Sequence, residues 1–158
     1  MRLFGIDPGA TTGWCEYDSE SRRVLSSGEF RGDDLPPDAL VAAGRCEHAI
    51  IESLHEPRGG IYPAVVVAGI TQGHIERQLR YGVRPYHRIT RHEVKRLLTE
   101  AMLREPVVRD DKTAWQAMLA MHGGDKAAKK GGPLHGVKSH QRAALAAVVA
   151  WCFKERLR

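Results

Sequence analysis

Two carboxylates, Asp7 and Glu52, each stand at the end of a short apolar run. Residues 2–7 (RLFGID) and residues 48–52 (HAIIE) both have the pattern of buried strands, and a Pro-Gly turn follows Asp7. If the two strands are neighbours, their carboxyl ends meet at one edge of a sheet, where open α/β folds place their sites. The spacing therefore predicts that these two acids converge.

Two carboxylates that share one place repel each other unless a cation lies between them. Carboxylate oxygens are the ligands that Mg²⁺ prefers, and a phosphodiester nuclease uses one or two such ions to generate the attacking hydroxide and to neutralise the leaving oxygen. The pair therefore indicates a divalent-cation site. On spacing alone an alternative stays open, in which Asp7 is a turn residue and Glu52 an ordinary ion-pair partner.

The elements that must position these acids follow from hydrophobic periodicity and turn signals. Three strands come first as a meander, and helices with two further strands follow. The predicted strands cover residues 2–7, 13–17, 23–30, 48–52 and 83–89, and the predicted helices cover residues 38–46, 64–80, 91–104, 111–122 and 139–157. This order predicts an α/β fold with a mixed five-stranded sheet flanked by helices, in a single domain over residues 1–158.

Several local signals refine this division. Thr90 followed by Glu93 is a capping box, and the pair Asp110 and Asp111 caps the next helix. Two glycines inside one predicted helix, Gly69 and Gly73, indicate close backbone packing there, since each costs helix stability. Residues 123–136 (GGDKAAKKGGPLHG) are predicted to form a flexible basic loop.

The charge distribution favours a polyanionic partner. The chain of 158 residues carries a net charge of +5, and its basic residues cluster in two regions, over 77–104 and over 126–138. Three widely spaced cysteines and scattered histidines support neither a disulfide framework nor a zinc site. No apolar run reaches the length of a membrane span, and the start lacks a signal peptide, so we expect a cytoplasmic protein without a membrane partner.

An ordered series of short motifs spans nearly the whole chain. It comprises residues 5–13 (GIDPGATTG), 51–52 (IE), 71–73 (TQG), 93–96 (EVKR), 111–116 (DKTAWQ) and 140–150 (HQRAALAAVVA). In this order and spacing the motifs resemble those of the RuvC Holliday-junction resolvases. The resemblance implies an RNase H-like fold, a homodimer, Mg²⁺ or Mn²⁺ with no further small-molecule cofactor, and nicking of four-way DNA junctions.

The resemblance also implies roles for single residues. Asp7 and Glu52 match metal-binding carboxylates, and His140 matches a position that the family fills with Asp or His. Lys112 matches a basic residue near the scissile phosphate, although a solvated lysine in the first helical turn remains an alternative. The candidate DNA-binding residues in this branched-DNA assignment are Arg58, Tyr62, Arg91, Lys95, Lys129 and Lys130.

The pattern is broken at Ala143, which stands where the family carries an aspartate. His140 and Ala143 share one face of the predicted last helix because they are three residues apart. A methyl group binds no metal, so one metal site would lose an anionic ligand. Two explanations stay open: an engineered replacement of an aspartate, or a natural variant with a different ligand.

Three other functions compete with junction cleavage. A related RNase H-like nuclease acting on RNA–DNA hybrids, flaps or forks would use the same metal chemistry. A non-catalytic protein that binds branched DNA would explain Ala143. A sugar-kinase-like ATPase has a phosphate-binding turn similar to residues 7–13 (DPGATTG), but such enzymes need two lobes and a much longer chain.

Overall fold

A computed structural model of the chain describes residues 1–53, 63–82, 85–102 and 110–156. The strands are β1 (Arg2–Asp7), β2 (Thr12–Asp18), β3 (Arg23–Phe30), β4 (His48–Ser53) and β5 (Tyr86–Thr90). The helices are α1 (Pro37–Arg45), α2 (Pro63–Tyr81), α3 (Arg91–Met102), α4 (Asp111–Met121) and α5 (Ser139–Arg156), with a 3-10 helix at Gly124–Ala128. The order of strands and helices confirms the sequence prediction.

The five strands form one mixed sheet in the order β3-β2-β1-β4-β5. The first three strands pair antiparallel as the predicted meander, whereas β4 and β5 run parallel to β1. Strands β1 and β4 are direct neighbours, with Ile6 opposite Ile51. The carboxyl ends of β1, β4 and β5 therefore lie along the same edge of the sheet.

Each face of the sheet has its own core, because side chains alternate along every strand. Leu3 and Ile50 pack in a core with α3, α4 and α5. Their sequence neighbours Phe4 and Ile51 pack in a second core with α1 and α2. All four side chains are fully buried, so the helices cover both faces of the sheet.

Helix α5 lies directly against β1 and β2 because two strand positions lack a side chain. A Cβ at Gly5 would collide with the backbone carbonyl of Ala144, and a Cβ at Gly13 would collide with the backbone of His140. This close approach sets the distance between the sheet edge and the helix that carries His140 and Ala143.

Replacing Gly5 with alanine is expected to destabilise the protein by about 1–3 kcal/mol, because the added methyl group overpacks the contact between β1 and α5. Urea unfolding measures the change. Gly44→Ala is the matched control, since Gly44 is a helical glycine with open space around its Cβ position. Equal stability of the two variants would contradict the proposed close contact.

Three local predictions need correction or adjustment. A Cβ at Gly69 or at Gly73 would meet open space, so within the described part of this chain the predicted close packing at these glycines is wrong. The predicted flexible loop over 123–136 contains the 3-10 helix and buries Ala127 and Leu134. Strand β5 begins at Tyr86 and not at residue 83, and residues 83–84 lie outside the described part of the chain.

Two predicted helix starts are confirmed by their hydrogen bonds. The Thr90 hydroxyl accepts from the Glu93 backbone N–H at 3.2 Å, and the Glu93 carboxylate accepts from the Thr90 N–H at 3.0 Å. At the start of α4, the Asp110 carboxylate accepts from the Thr113 N–H at 2.7 Å.

Among the helices that the structure describes, none is long and apolar enough to cross a membrane.

Candidate functional site

Asp7 and Glu52 converge at the carboxyl edge of β1 and β4. Asp7 follows Leu3 by four residues and Glu52 follows Ile50 by two, so strand alternation turns both acids toward α5. Both line one pocket with a volume of about 580 Å³, and their exposed fractions are only 9% and 6%. The predicted convergence of the two carboxylates is therefore present in the structure.

His140 joins the acid pair from α5. Its Nδ1 lies 3.2 Å from Asp7 Oδ2, a hydrogen bond that spans 133 residues of sequence. The His140 backbone N–H donates to Glu29 Oε1 of β3 at 3.1 Å, which ties the first turn of α5 to the sheet. The structure thus brings all three predicted metal-binding residues, Asp7, Glu52 and His140, to one pocket.

Two cations and a third acid also line the pocket. The Arg91 guanidinium lies between Glu52 Oε1 at 3.7 Å and Asp111 Oδ2 at 2.9 Å. Lys95 Nζ lies 2.9 Å from the other oxygen of Asp111. Arg91 and Lys95, predicted as DNA-binding residues, therefore line the pocket and are paired with acids there.

Burial makes the ionised form of both central carboxylates unfavourable. The pKa of Glu52 rises to about 8, first because the group is desolvated and then because of the charge on Asp7, while Arg91 opposes the rise. Desolvation also raises the pKa of Asp7, against the hydrogen bond from His140 and the charge of Arg91. Two buried acids with raised pKa values in one cleft are typical of a functional site.

The donor set fits a divalent cation held by two carboxylates. Asp7 and Glu52 supply the hard oxygen ligands that Mg²⁺ or Mn²⁺ takes, and a cation between them would remove their repulsion. Within residues 1–53, 63–82, 85–102 and 110–156, no three acid, imidazole or thiol groups are gathered closely enough to hold one ion, and this includes the predicted set of Asp7, Glu52 and His140. Asp7 and Glu52 would hold such a cation as two protein ligands, and water or phosphate oxygens would supply the others.

The remaining predicted site residues fall into three groups. Lys112, at the start of α4, and Ala143, on α5, both line the pocket. Lys129 and Lys130 are exposed, stand just after the 3-10 helix and are not among the residues that line this pocket. Arg58 and Tyr62 lie outside the described residues, so their predicted DNA contacts stay predictions.

Sequence reasoning missed the counter-charge function of Arg91 and the pairing of Asp111. A signal for Arg91 was present, because this residue directly follows β5, whose carboxyl end shares the sheet edge with Asp7 and Glu52. No local signal exists for Asp111, which meets Arg91 only because α4 packs beside α3. Trp115 and Arg142, which also line the pocket, were missed as well.

Comparisons with known proteins identify the fold. No protein-family model matches the chain, and no curated protein matches its sequence. RuvC from Thermus thermophilus superposes with a TM-score of 0.69 at 16% identity, over 99% of this chain and 96% of that chain. The same organism's RuvC in complex with Holliday junction substrate gives 0.66 at 18% identity, over 99% and 96% of the two chains. The chain therefore has the RuvC fold, an RNase H-like fold.

Proposed function

We propose that this RuvC-like chain is a structure-selective endodeoxyribonuclease that nicks four-way DNA junctions by metal-assisted phosphodiester hydrolysis. The observation that carries the proposal is the convergence of Asp7, Glu52 and His140 in one pocket at the carboxyl edge of the sheet. The shared fold with RuvC, one structure of which holds a Holliday junction substrate, supports branched DNA as the ligand. We place the enzyme in the cytoplasm, as a single nuclease domain.

Each residue of the pocket has a defined task in this proposal. Asp7 and Glu52 would hold Mg²⁺ or Mn²⁺, which when bound would activate the attacking water and neutralise the leaving oxygen. His140 holds Asp7 in place through its 3.2 Å contact. Lys112, exposed at the rim of the pocket, would contact the scissile phosphate.

Cleavage and binding assays on a panel of DNA structures test the proposal. Labelled four-way junction, flap, RNA–DNA hybrid and plain duplex are incubated with the protein and Mg²⁺ or Mn²⁺. We expect preferential binding and paired nicks on the four-way junction, and loss of nicking with Asp7→Asn. Preferential cleavage of flaps or hybrids would replace the proposed substrate, and equal binding to duplex and junction would refute the proposal.

A non-catalytic junction-binding protein is the second candidate, favoured by Ala143. This residue lines the pocket three positions after His140 on α5 and adds no ligand to it. Such a protein would bind the four-way junction with the same preference and leave it uncut under every metal tested. The junction assay above separates the two candidates by its cleavage arm.

We further propose that the protein is a homodimer that associates through α2. Val66 and Ile70, one helical turn apart, are 45% and 52% exposed, although both are large apolar side chains. Gly69 and Gly73 on the same face leave open space beside them. A two-fold copy of this face would place apolar side chains over the glycines, as a self-complementary interface requires.

The change Ile70→Glu is expected to convert the dimer to a monomer, because it places a charge at the centre of the apolar face. Sedimentation equilibrium at micromolar concentration measures the change. Leu25→Glu is the matched control, since Leu25 on β3 is 46% exposed and lies outside α2. A wild-type protein that sediments as a monomer would overturn the dimer.

Neutralising Asp111 should strengthen DNA binding, because the Asp111 carboxylate forms ion pairs with both Arg91 and Lys95. With Asp111→Asn, these cations become available to phosphates, and the logarithmic dependence of junction affinity on salt should steepen by roughly 1 to 2. Affinity is measured without metal over a salt series. Asp125→Asn removes an exposed acid from the 3-10 helix as a control, and an equal slope in both variants would contradict the prediction.

A further inference from the structure

The pocket that holds the acid pair has a second half of different chemistry. Beyond Asp7 and Glu52 its walls are formed by Val94, Ala114, Trp115, Met118 and Ala146, which come from α3, α4 and α5. Val94, Ala114 and Met118 are buried core residues at the base of this half. Apolar walls offer no partner to a phosphate oxygen, whereas the flat face of a nucleobase can pack against them.

Arg142 and Trp115 form the edge of this apolar half. The Cζ of Arg142 lies over the Trp115 ring, 4.5 Å from its centroid, which is a cation–π contact. The Arg142 Nε also donates to the backbone carbonyl of Val137 at 3.4 Å. Arg142 itself is exposed, so the ring beneath it holds a guanidinium in a defined place at the pocket rim.

The position of this pair relative to the acids determines what it can meet. Arg142 lines the same pocket as Asp7 and Glu52 and follows His140, which contacts Asp7, by two residues on α5. A DNA strand whose phosphate lies against the acid pair would therefore carry an adjoining nucleotide into the apolar half. Guanidinium planes and aromatic rings are the surfaces on which proteins stack unpaired bases.

We propose that Arg142, supported by Trp115, is a stacking platform for an unpaired nucleobase that adjoins the phosphate at the Asp7–Glu52 edge. This inference rests on the proposed function and deepens it, since it assigns a base-binding subsite to the same pocket. The base leaves its stack in the DNA and lies against the guanidinium, with the apolar walls of α3 and α4 beneath it. The platform thereby selects junctions with an unpaired or easily unpaired nucleotide beside the cleaved phosphate.

A thermodynamic cycle between Arg142→Lys and abasic nucleotides tests the platform. Lysine keeps the charge and loses the planar group, so it separates stacking from phosphate contact. Junction affinity is measured without metal for a set of junctions, each with one abasic nucleotide at a different position around the branch point. We expect Arg142→Lys to weaken binding about tenfold on the intact junction, and to have no effect on the junction that lacks the stacked base.

Three further variants complete the experiment. Arg156→Lys changes an arginine on the same helix outside this pocket and should leave affinity unchanged. Trp115→Phe keeps an aromatic ring under the guanidinium and should retain most of the affinity, whereas Trp115→Ala should resemble Arg142→Lys.

Two results would overturn the platform while the proposed function stands. The first is that Arg142→Lys binds the intact junction as tightly as the wild type does. The second is that the loss of affinity in Arg142→Lys persists on every abasic junction, which a phosphate contact would produce. A wild-type protein without preference for junction over duplex is a different result, which refutes the proposed function and the subsite with it.

Discussion

Replacing Ala143 with aspartate should raise Mg²⁺-dependent cleavage of four-way junctions by about a hundredfold or more. Ala143 lines the same pocket as Asp7 and Glu52, one helical turn after His140. A carboxylate at this position would add a third anionic oxygen ligand where the structure now has two. Cleavage rates of the variant and of the unsubstituted protein, measured on the same labelled junction, determine the gain.

Ala143→Asn is the matched control, because asparagine has the shape of aspartate without its charge. We expect the asparagine variant to cut far more slowly than the aspartate variant, and both to bind the junction with similar affinity without metal. If Ala143→Asp cuts no faster than the unsubstituted protein, the assignment of this pocket as a nuclease site is wrong.

Glu52→Gln should abolish cleavage and at the same time stabilise the protein at pH 8 in the absence of metal. In the folded protein the pKa of Glu52 rises from 4.5 to about 8, chiefly through burial. Between these two values the folded chain holds a proton that the unfolded chain has released. The free energy of unfolding therefore falls as the pH rises through this window.

Glutamine carries no charge at any pH and avoids this loss, so the gain at pH 8 is on the order of a few kcal/mol. Urea unfolding between pH 4.5 and 8.5 measures the difference between variant and wild type. Glu47→Gln changes an exposed carboxylate just before the same strand and serves as the control. A wild-type stability that rises over this range would contradict the raised pKa.

Mg²⁺ should reverse the pH effect in the wild type, since a cation bound between the two carboxylates stabilises the folded state. The same addition should leave Glu52→Gln nearly unchanged. This pair of measurements reports on the cation site independently of DNA cleavage.

Much of the fold was predictable because it depends on local patterns. The apolar runs that end at Asp7 and Glu52 marked two parallel strands, and the capping box of Thr90 and Glu93 marked the start of α3. These signals act within a few residues, where backbone propensity and side-chain hydrogen bonds decide the conformation. The order of the elements then restricted the sheet to a few arrangements.

Segments without a strong local pattern were predicted less well. Residues 123–136 look flexible by composition, yet the Val24 N–H of β3 donates to the carbonyl of Pro133, and Leu134 is buried. That order comes from a contact with a strand about a hundred residues earlier. The packing prediction for Gly69 and Gly73 also failed, because a glycine in a helical sequence does not show whether another element of the chain covers that face of the helix.

By itself, the sequence determined which residues carry charge, which strands end in carboxylates and where the helices begin. Only the tertiary structure decided that Arg91 lies between Glu52 and Asp111, that His140 contacts Asp7, and that Arg142 rests on Trp115. The physical reason is distance along the chain. Each of these contacts joins separate elements, and their geometry exists only after α3, α4 and α5 have packed onto one face of the sheet.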